Sequence, residues 1–118
     1  MPTFKPATET VEQPWDRLAA YLKSQGMDLD LETPPQQFAG GFANLNYLLR
    51  IDRNPVVLRR PPMGELPPGA YDMGRESRIL NRLHEQFPLA PRALHLCTNE
   101  AVLGAAFQLT EYRPGISI

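Results

Sequence analysis

In "QPWDRLAAYLKSQG", Trp15, Leu18, Ala19 and Leu22 recur at i, i+3, i+4 and i+7, the spacing that places one apolar stripe along a helix. Pro14 suits the first turn of that helix and Gly26 its C-terminal cap. After "DLDLETPP" the period changes from helical to alternating. "QQFAGGFANLNYLLRI" reads as a strand, a glycine break and a second strand. In the second strand Leu45, Tyr47, Leu49 and Ile51 alternate with Asn44, Asn46, Leu48 and Arg50. "DRNP" is turn chemistry, and "VVLRR" is a short β-branched run that predicts a third strand. Up to this point the pattern predicts an antiparallel meander.

Helical period returns in "YDMGRESRILNRLHEQFP". Ile79, Leu80, Leu83 and Phe87 form its apolar stripe, with Arg75, Arg78, Arg82 and Glu85 largely outside it. Asp72 is the expected N-cap and Pro88 stops the helix. "PRALHLC" and "AAFQLTEY" read as two further strands, joined by the turn-like "TNEAVLG". The predicted fold is α+β: an N-terminal helix, then a five-stranded antiparallel sheet with one helix inserted between strands 3 and 4. Residues 1–11, polar and carrying two prolines, are expected as a flexible arm, and residues 12–118 as one domain.

Composition narrows the function classes. A chain of 118 residues with 42% hydrophobic and 21% charged content is one soluble domain or one lobe of a larger one. A net charge of -1, with no basic stripe interleaved with aromatics, argues against a nucleic-acid or membrane-surface partner. No apolar run approaches the length of a membrane span, and "MPTFKPATET" lacks the apolar core of a signal peptide. Cys97 is the single cysteine, which excludes an internal disulfide framework or a thiolate metal cluster and suits a reducing cytoplasm. The 13 prolines punctuate the elements rather than forming a tract. His84 and His95 lack ligand spacing, so no metal site is expected. His95 and Cys97, two apart on one strand, are expected as a packed pair rather than a nucleophile and its base.

Five strands with a helix between the third and fourth is the order of a protein-kinase small lobe. There a glycine-rich turn covers the nucleotide phosphates, a base on the third strand contacts them, and a helix glutamate holds that base. The division has a physical purpose, because opposite charges on two separate elements pair only when the helix is docked, which presents one preorganised cation. The segments "GGFANLNYLL", "VVLRRPPMG", "YDMGRESRIL", "FPLAPRAL" and "GAAFQLTEYRPG", in that order over roughly residues 36–118, resemble successive motifs of the aminoglycoside phosphotransferase-like family. "LRRPP" and "MGRE" resemble the branch of kinase-like domains found alone in bacteria or fused to acyl-CoA dehydrogenases.

The resemblance implies a nucleotide site built from Gly40, Gly41, Phe42, Ala43 and Asn44 in the first turn, Arg59 as the third-strand base, Glu76 as its helix partner, and Glu111, Tyr112 and Arg113 as a hinge whose backbone meets the adenine. Each has a plainer alternative. The glycine turn can be a simple hairpin; it is shorter than G-x-G-x-x-G, so weaker phosphate cradling is expected. Arg59 and Arg60 can be solvated strand-end arginines, and arginine replaces the family's usual lysine, though a guanidinium also binds phosphate bidentately. Glu76 can be a surface partner of Arg75, Arg78 or Arg82, but it precedes Ile79, Leu80 and Leu83 by three, four and seven residues and so shares their inward face.

The cofactor implied is ATP, with Mg²⁺ in the full protein. The H-x-D loop that such chemistry requires is missing: His84 is followed by Glu-Gln and His95 by Leu-Cys. No catalytic residue is therefore assigned. The chain is expected to be the N-terminal lobe of a small-molecule phosphotransferase that phosphorylates a hydroxyl group, inactive alone. The alternative is a free-standing nucleotide-binding or protein-interaction module. In either case the exposed sheet face would meet a C-terminal lobe or a second copy.

Overall fold

The computed structural model describes residues 4–39, 45–61, 73–87 and 91–112. The expected glycine turn at 40–44, residues 62–72 with the expected cap Asp72, residues 88–90 with the expected stop Pro88, and the residues from Arg113 onward lie outside the described residues. The first long element is α1 (Trp15–Ser24), with Pro14 at its N-cap, one place earlier than expected. Its C-terminus is a Schellman motif: Met27 N–H donates to Leu22 O at 2.8 Å and Gly26 N–H to Lys23 O at 3.1 Å. Gly26 adopts φ +82° to allow this, a conformation that glycine enters without steric cost.

The sheet comprises β1 (Gln36–Gln37), β2 (Leu45–Ile51), β3 (Asn54–Arg60), β4 (Ala93–Cys97) and β5 (Phe107–Glu111). Its spatial order is β1-β2-β3-β5-β4 with every pairing antiparallel. β2 and β3 pair from Leu45↔Arg60 to Ile51↔Asn54 around the two-residue loop Asp52-Arg53. Both loop residues have positive φ, 51° and 69°, as a type I′ hairpin turn demands. Pro55 is tolerated in β3 because the pairing with β5 starts at Val56, so no ladder donor is needed there.

α2 (Met73–Gln86) connects β3 to β4, as the expected order requires. Its apolar stripe is not the expected one: Met73 and Leu80 are buried, whereas Ile79 and Phe87 are 53% and 62% exposed. The helix is rotated so that Met73, Glu76 and Leu80 form the line facing the sheet, and the neighbouring line through Ile79 faces outward. "TNEAVLG" also departs from expectation, because it contains α3 (Glu100–Leu103) rather than a plain turn. Asn99 caps α3 by accepting from Ala101 N–H at 3.0 Å, and Gly104 ends it at φ 90°. These are the usual capping residues on a helix too short to show a period.

One core fills the face of the sheet covered by α1 and α3. Leu18 and Leu22 of α1 and Val102 and Leu103 of α3 pack with Tyr47, Leu49, Ile51, Val56, Leu58, Phe107 and Leu109. Trp15 meets Tyr47 edge-on at 5.0 Å, and Tyr21 meets Phe107 at 6.0 Å. Residues 4–11, expected as an arm, run beside β1: Phe4 bridges Phe38, Lys5 N–H donates to Gln37 O, and Val11 N–H donates to Gln37 Oε1.

Candidate functional site

Strand alternation places Asn46, Leu48, Val57, Arg59, Gln108 and Thr110 on the face opposite the core. Register then sets Asn46 beside Arg59, and Arg59 beside Gln108, in one rung across β2, β3 and β5. A second rung joins Leu48, Val57 and Thr110. α2 lies over the β4–β5 side of this face, with Met73 Sδ 4.0 Å from Gln108 Nε2. The helix brings Glu76 to the first rung, where Oε1 stands 2.7 Å from Arg59 Nε. The expected pairing of Arg59 with Glu76 is thus present.

This rung has an unusual property. The buried side-chain polar atoms without a hydrogen-bond partner among the described residues are Asn46 Oδ1, Arg59 Nε, Glu76 Oε1 and Gln108 Oε1. All belong to this one cluster. Arg59 and Glu76 attract as charges at 2.7 Å although the N–H is not aligned on the oxygen. Buried polar atoms are almost always satisfied, so the two amide oxygens left without donors beside one misaligned ion pair call for an explanation beyond packing.

The other expected site residues divide. Gly40, Gly41, Phe42, Ala43, Asn44 and Arg113 fall outside the described residues. Glu111 ends β5 and is tied to the edge strand: its N–H donates to Arg92 O, and Arg92 N–H donates to its Oε1, each at 2.9 Å. The Tyr112 ring lies 6.1 Å from Phe38, which in turn lies 5.0 Å from Phe4. Asn46, Gln108 and Phe38 were not singled out from the sequence; the signal for Gln108 was a polar residue within the apolar strand "AAFQLTEY".

Arg60 is not a solvated strand-end arginine. It points to the core face, is 3% exposed, and donates from Nε to Pro61 O at 2.8 Å and from Nη1 to Leu103 O at 2.7 Å and Gln13 Oε1 at 3.1 Å. Gln13 Nε2 donates to Tyr47 Oη, which donates to Val11 O. Burial pushes the Arg60 guanidinium down from its ordinary range and the Tyr47 hydroxyl up, with Gln13 and the Arg60 charge opposing the latter. Elsewhere on the core side, the Tyr21 hydroxyl and His95 Nε2 share a hydrogen bond at 2.6 Å whose direction follows the imidazole tautomer, and burial lowers His95 below its usual value. The Tyr21 hydroxyl is pushed up to about 12, first by burial and then by Cys97. A cleft of about 540 Å³ at the start of α1, lined by Glu12, Trp15, Asp16 and Pro34 among others, contains none of the rung residues. No group of three or more His, Cys, Asp or Glu among the described residues could hold a metal ion.

The Phosphotransferase enzyme family model matches residues 35–118. The chain belongs to this family. It is 36% identical to acyl-CoA dehydrogenase family member 10 from Mus musculus over 98% of its length, which is 11% of that relative. It is 35% identical to probable acyl-CoA dehydrogenase IBR3 from Arabidopsis thaliana over 67% of its length, which is 10% of that relative. This family member therefore spans about a tenth of the curated relatives it matches. A crystal structure from Ralstonia eutropha assigned as an aminoglycoside phosphotransferase shares its fold with a TM-score of 0.64 at 24% identity, covering 91% of this chain and 30% of that one.

Proposed function

We propose that this chain is the nucleotide-binding lobe of a kinase-like phosphotransferase. The observation that carries this reading is the gathering of unsatisfied polar atoms around the Arg59–Glu76 pair. Glu76 holds Arg59 from α2, so the guanidinium meets nucleotide phosphates as a fixed cation. Leu48 and Val57, half-buried in the adjoining rung beside Thr110, provide an apolar surface for the base. The end of β5, at Glu111 and Tyr112, forms the edge of the adenine site; Arg113 and Gly40 to Asn44, assigned to the same site by the resemblance, lie outside the described residues.

In the full protein the γ-phosphoryl group of ATP would pass to a hydroxyl oxygen of a small molecule, ADP leaving and the hydroxyl proton going to a base outside this chain. The described residues do not suit magnesium, since Glu76 is engaged by Arg59 and no acidic cluster stands beside it. The metal belongs with the same outside partner, a C-terminal lobe. A cytoplasmic setting is part of the reading, supported by the free, buried Cys97. Calorimetric titration of ATP into the intact protein tests it. Arg59→Ala is expected to weaken binding at least about tenfold, the effect of removing a charged hydrogen bond; unchanged affinity would sink the proposal. The 118-residue chain alone is expected not to turn over ATP.

A further inference from the structure

We infer that Asn46 and Gln108 are positioning residues for Arg59, and that together they make this position demand arginine rather than lysine. The inference rests on the reading of Arg59 as the phosphate contact and adds how that contact is oriented. Register places Asn46 and Gln108 directly opposite Arg59 on its two neighbouring strands, where facing side chains stand within interaction distance. Gln108 is fully buried and its Nε2 points to Met73 Sδ, which leaves its Oε1 as the group available to the rung. Asn46 Oδ1 is likewise buried without a donor.

An unsatisfied buried oxygen lowers stability, and two of them flanking one cation would be a poor choice for packing alone. A single adjustment removes the whole set. With the Arg59 Nε–H aligned on Glu76 Oε1 and one terminal N–H given to each of the facing amide oxygens, all four atoms would be satisfied. Donor arithmetic then separates the two basic residues. A guanidinium has five N–H donors; Glu76, Asn46 and Gln108 take three and leave two for a bidentate phosphate contact. A lysine ammonium has three donors, all consumed by the same partners, with none left for phosphate.

The test uses the intact protein with Gln108→Leu, Asn46→Leu, Arg59→Lys and the double variants. Two readouts are followed: calorimetric ATP affinity, and the exchange rate of the Arg59 Nε–H proton by NMR without nucleotide. Gln108→Leu is expected to melt no lower than the parent and to bind ATP about tenfold more weakly when residue 59 is arginine, but less than about twofold more weakly when it is lysine. The Nε–H proton is expected to exchange faster in Gln108→Leu and in Asn46→Leu. Equal losses in the two backgrounds, or an Nε–H exchange rate unchanged by both leucines, would overturn the inference. If Gln108→Leu does not fold, Asn46→Leu carries the same comparison. If Arg59→Ala leaves ATP binding intact, the nucleotide reading fails, while the Nε–H measurement still decides whether the two amides position Arg59.

Discussion

Arg59 Nε and Glu76 Oε1 stand 2.7 Å apart, one on β3 and the other on α2, with their side chains 25% and 26% exposed. The pair therefore reports whether α2 is docked. Because water reaches both charges, Glu76→Gln is expected to change unfolding free energy by no more than about 1 kcal/mol. Its effect on the proposed ligand is expected to be larger, about tenfold weaker ATP binding, since the fixed direction of the guanidinium is lost. Chemical denaturation and calorimetry on the same variant measure the two effects. A large stability loss with unchanged binding would make the pair a structural clasp only.

Arg60, next in the chain, is expected to show the reverse profile. Its guanidinium satisfies Leu103 O, Gln13 Oε1 and Pro61 O inside the fold. Arg60→Leu leaves those acceptors buried without donors and should cost about 3 kcal/mol, as lost hydrogen bonds to a buried charge do. Urea unfolding at fixed pH checks this. A loss under about 1 kcal/mol would mean that water replaces the guanidinium.

Two turn positions should move stability in opposite directions. Gly26 occupies φ +82°, so Gly26→Ala is expected to cost about 1 kcal/mol. Arg53 occupies φ 69° in the type I′ turn, so Arg53→Gly is expected to stabilise by up to about 1 kcal/mol. Thermal melts of the two variants against the parent give both signs in one experiment.

His95 predicts a pH dependence. Burial lowers its folded-state pKa from the ordinary 6.5, so in the window just below 6.5 the unfolded chain binds more protons than the folded one. Stability therefore falls as pH drops through that window and levels off below the folded-state pKa. In the imidazolium Nε2 is a donor, so over the same range the Tyr21 hydroxyl oxygen is the accepting partner of that hydrogen bond. His95→Gln is expected to flatten this part of the stability profile in denaturant titrations from pH 7.5 to 5. A profile unchanged by the substitution would remove His95 as its source.

The legible parts of this molecule were those with a period or a stop. Alternation from Leu45 to Ile51, helical spacing from Trp15 to Leu22 and the Gly26 cap are local, and the structure keeps them. The pairing of Arg59 with Glu76 was legible only through the resemblance, because no local pattern relates residues on separate elements. The face of α2 was misjudged for a related reason: Ile79 and Phe87 fit an apolar stripe, but the ion pair and Met73 set the helix's rotation. Strand alternation turns Arg60 to the face opposite Arg59, as the structure has it, but the partners of Arg60, Asn46 and Gln108 were illegible because a polar residue in a strand has no sequence mark for which neighbour it meets. Their meaning comes from register alone.

The family match begins at residue 35, whereas α1 ends at Ser24 and supplies Leu18 and Leu22, both wholly inaccessible to solvent. The stretch that the family model matches is thus shorter than the stretch that packs the core, although the Mus musculus relative is similar over 98% of the chain. A fragment trimmed to the family boundary would bare the aromatic and aliphatic face of Tyr47, Leu58 and Phe107, and would strip Arg60 of Gln13. Such a fragment is expected to aggregate on expression, even though it retains both members of the Arg59–Glu76 pair.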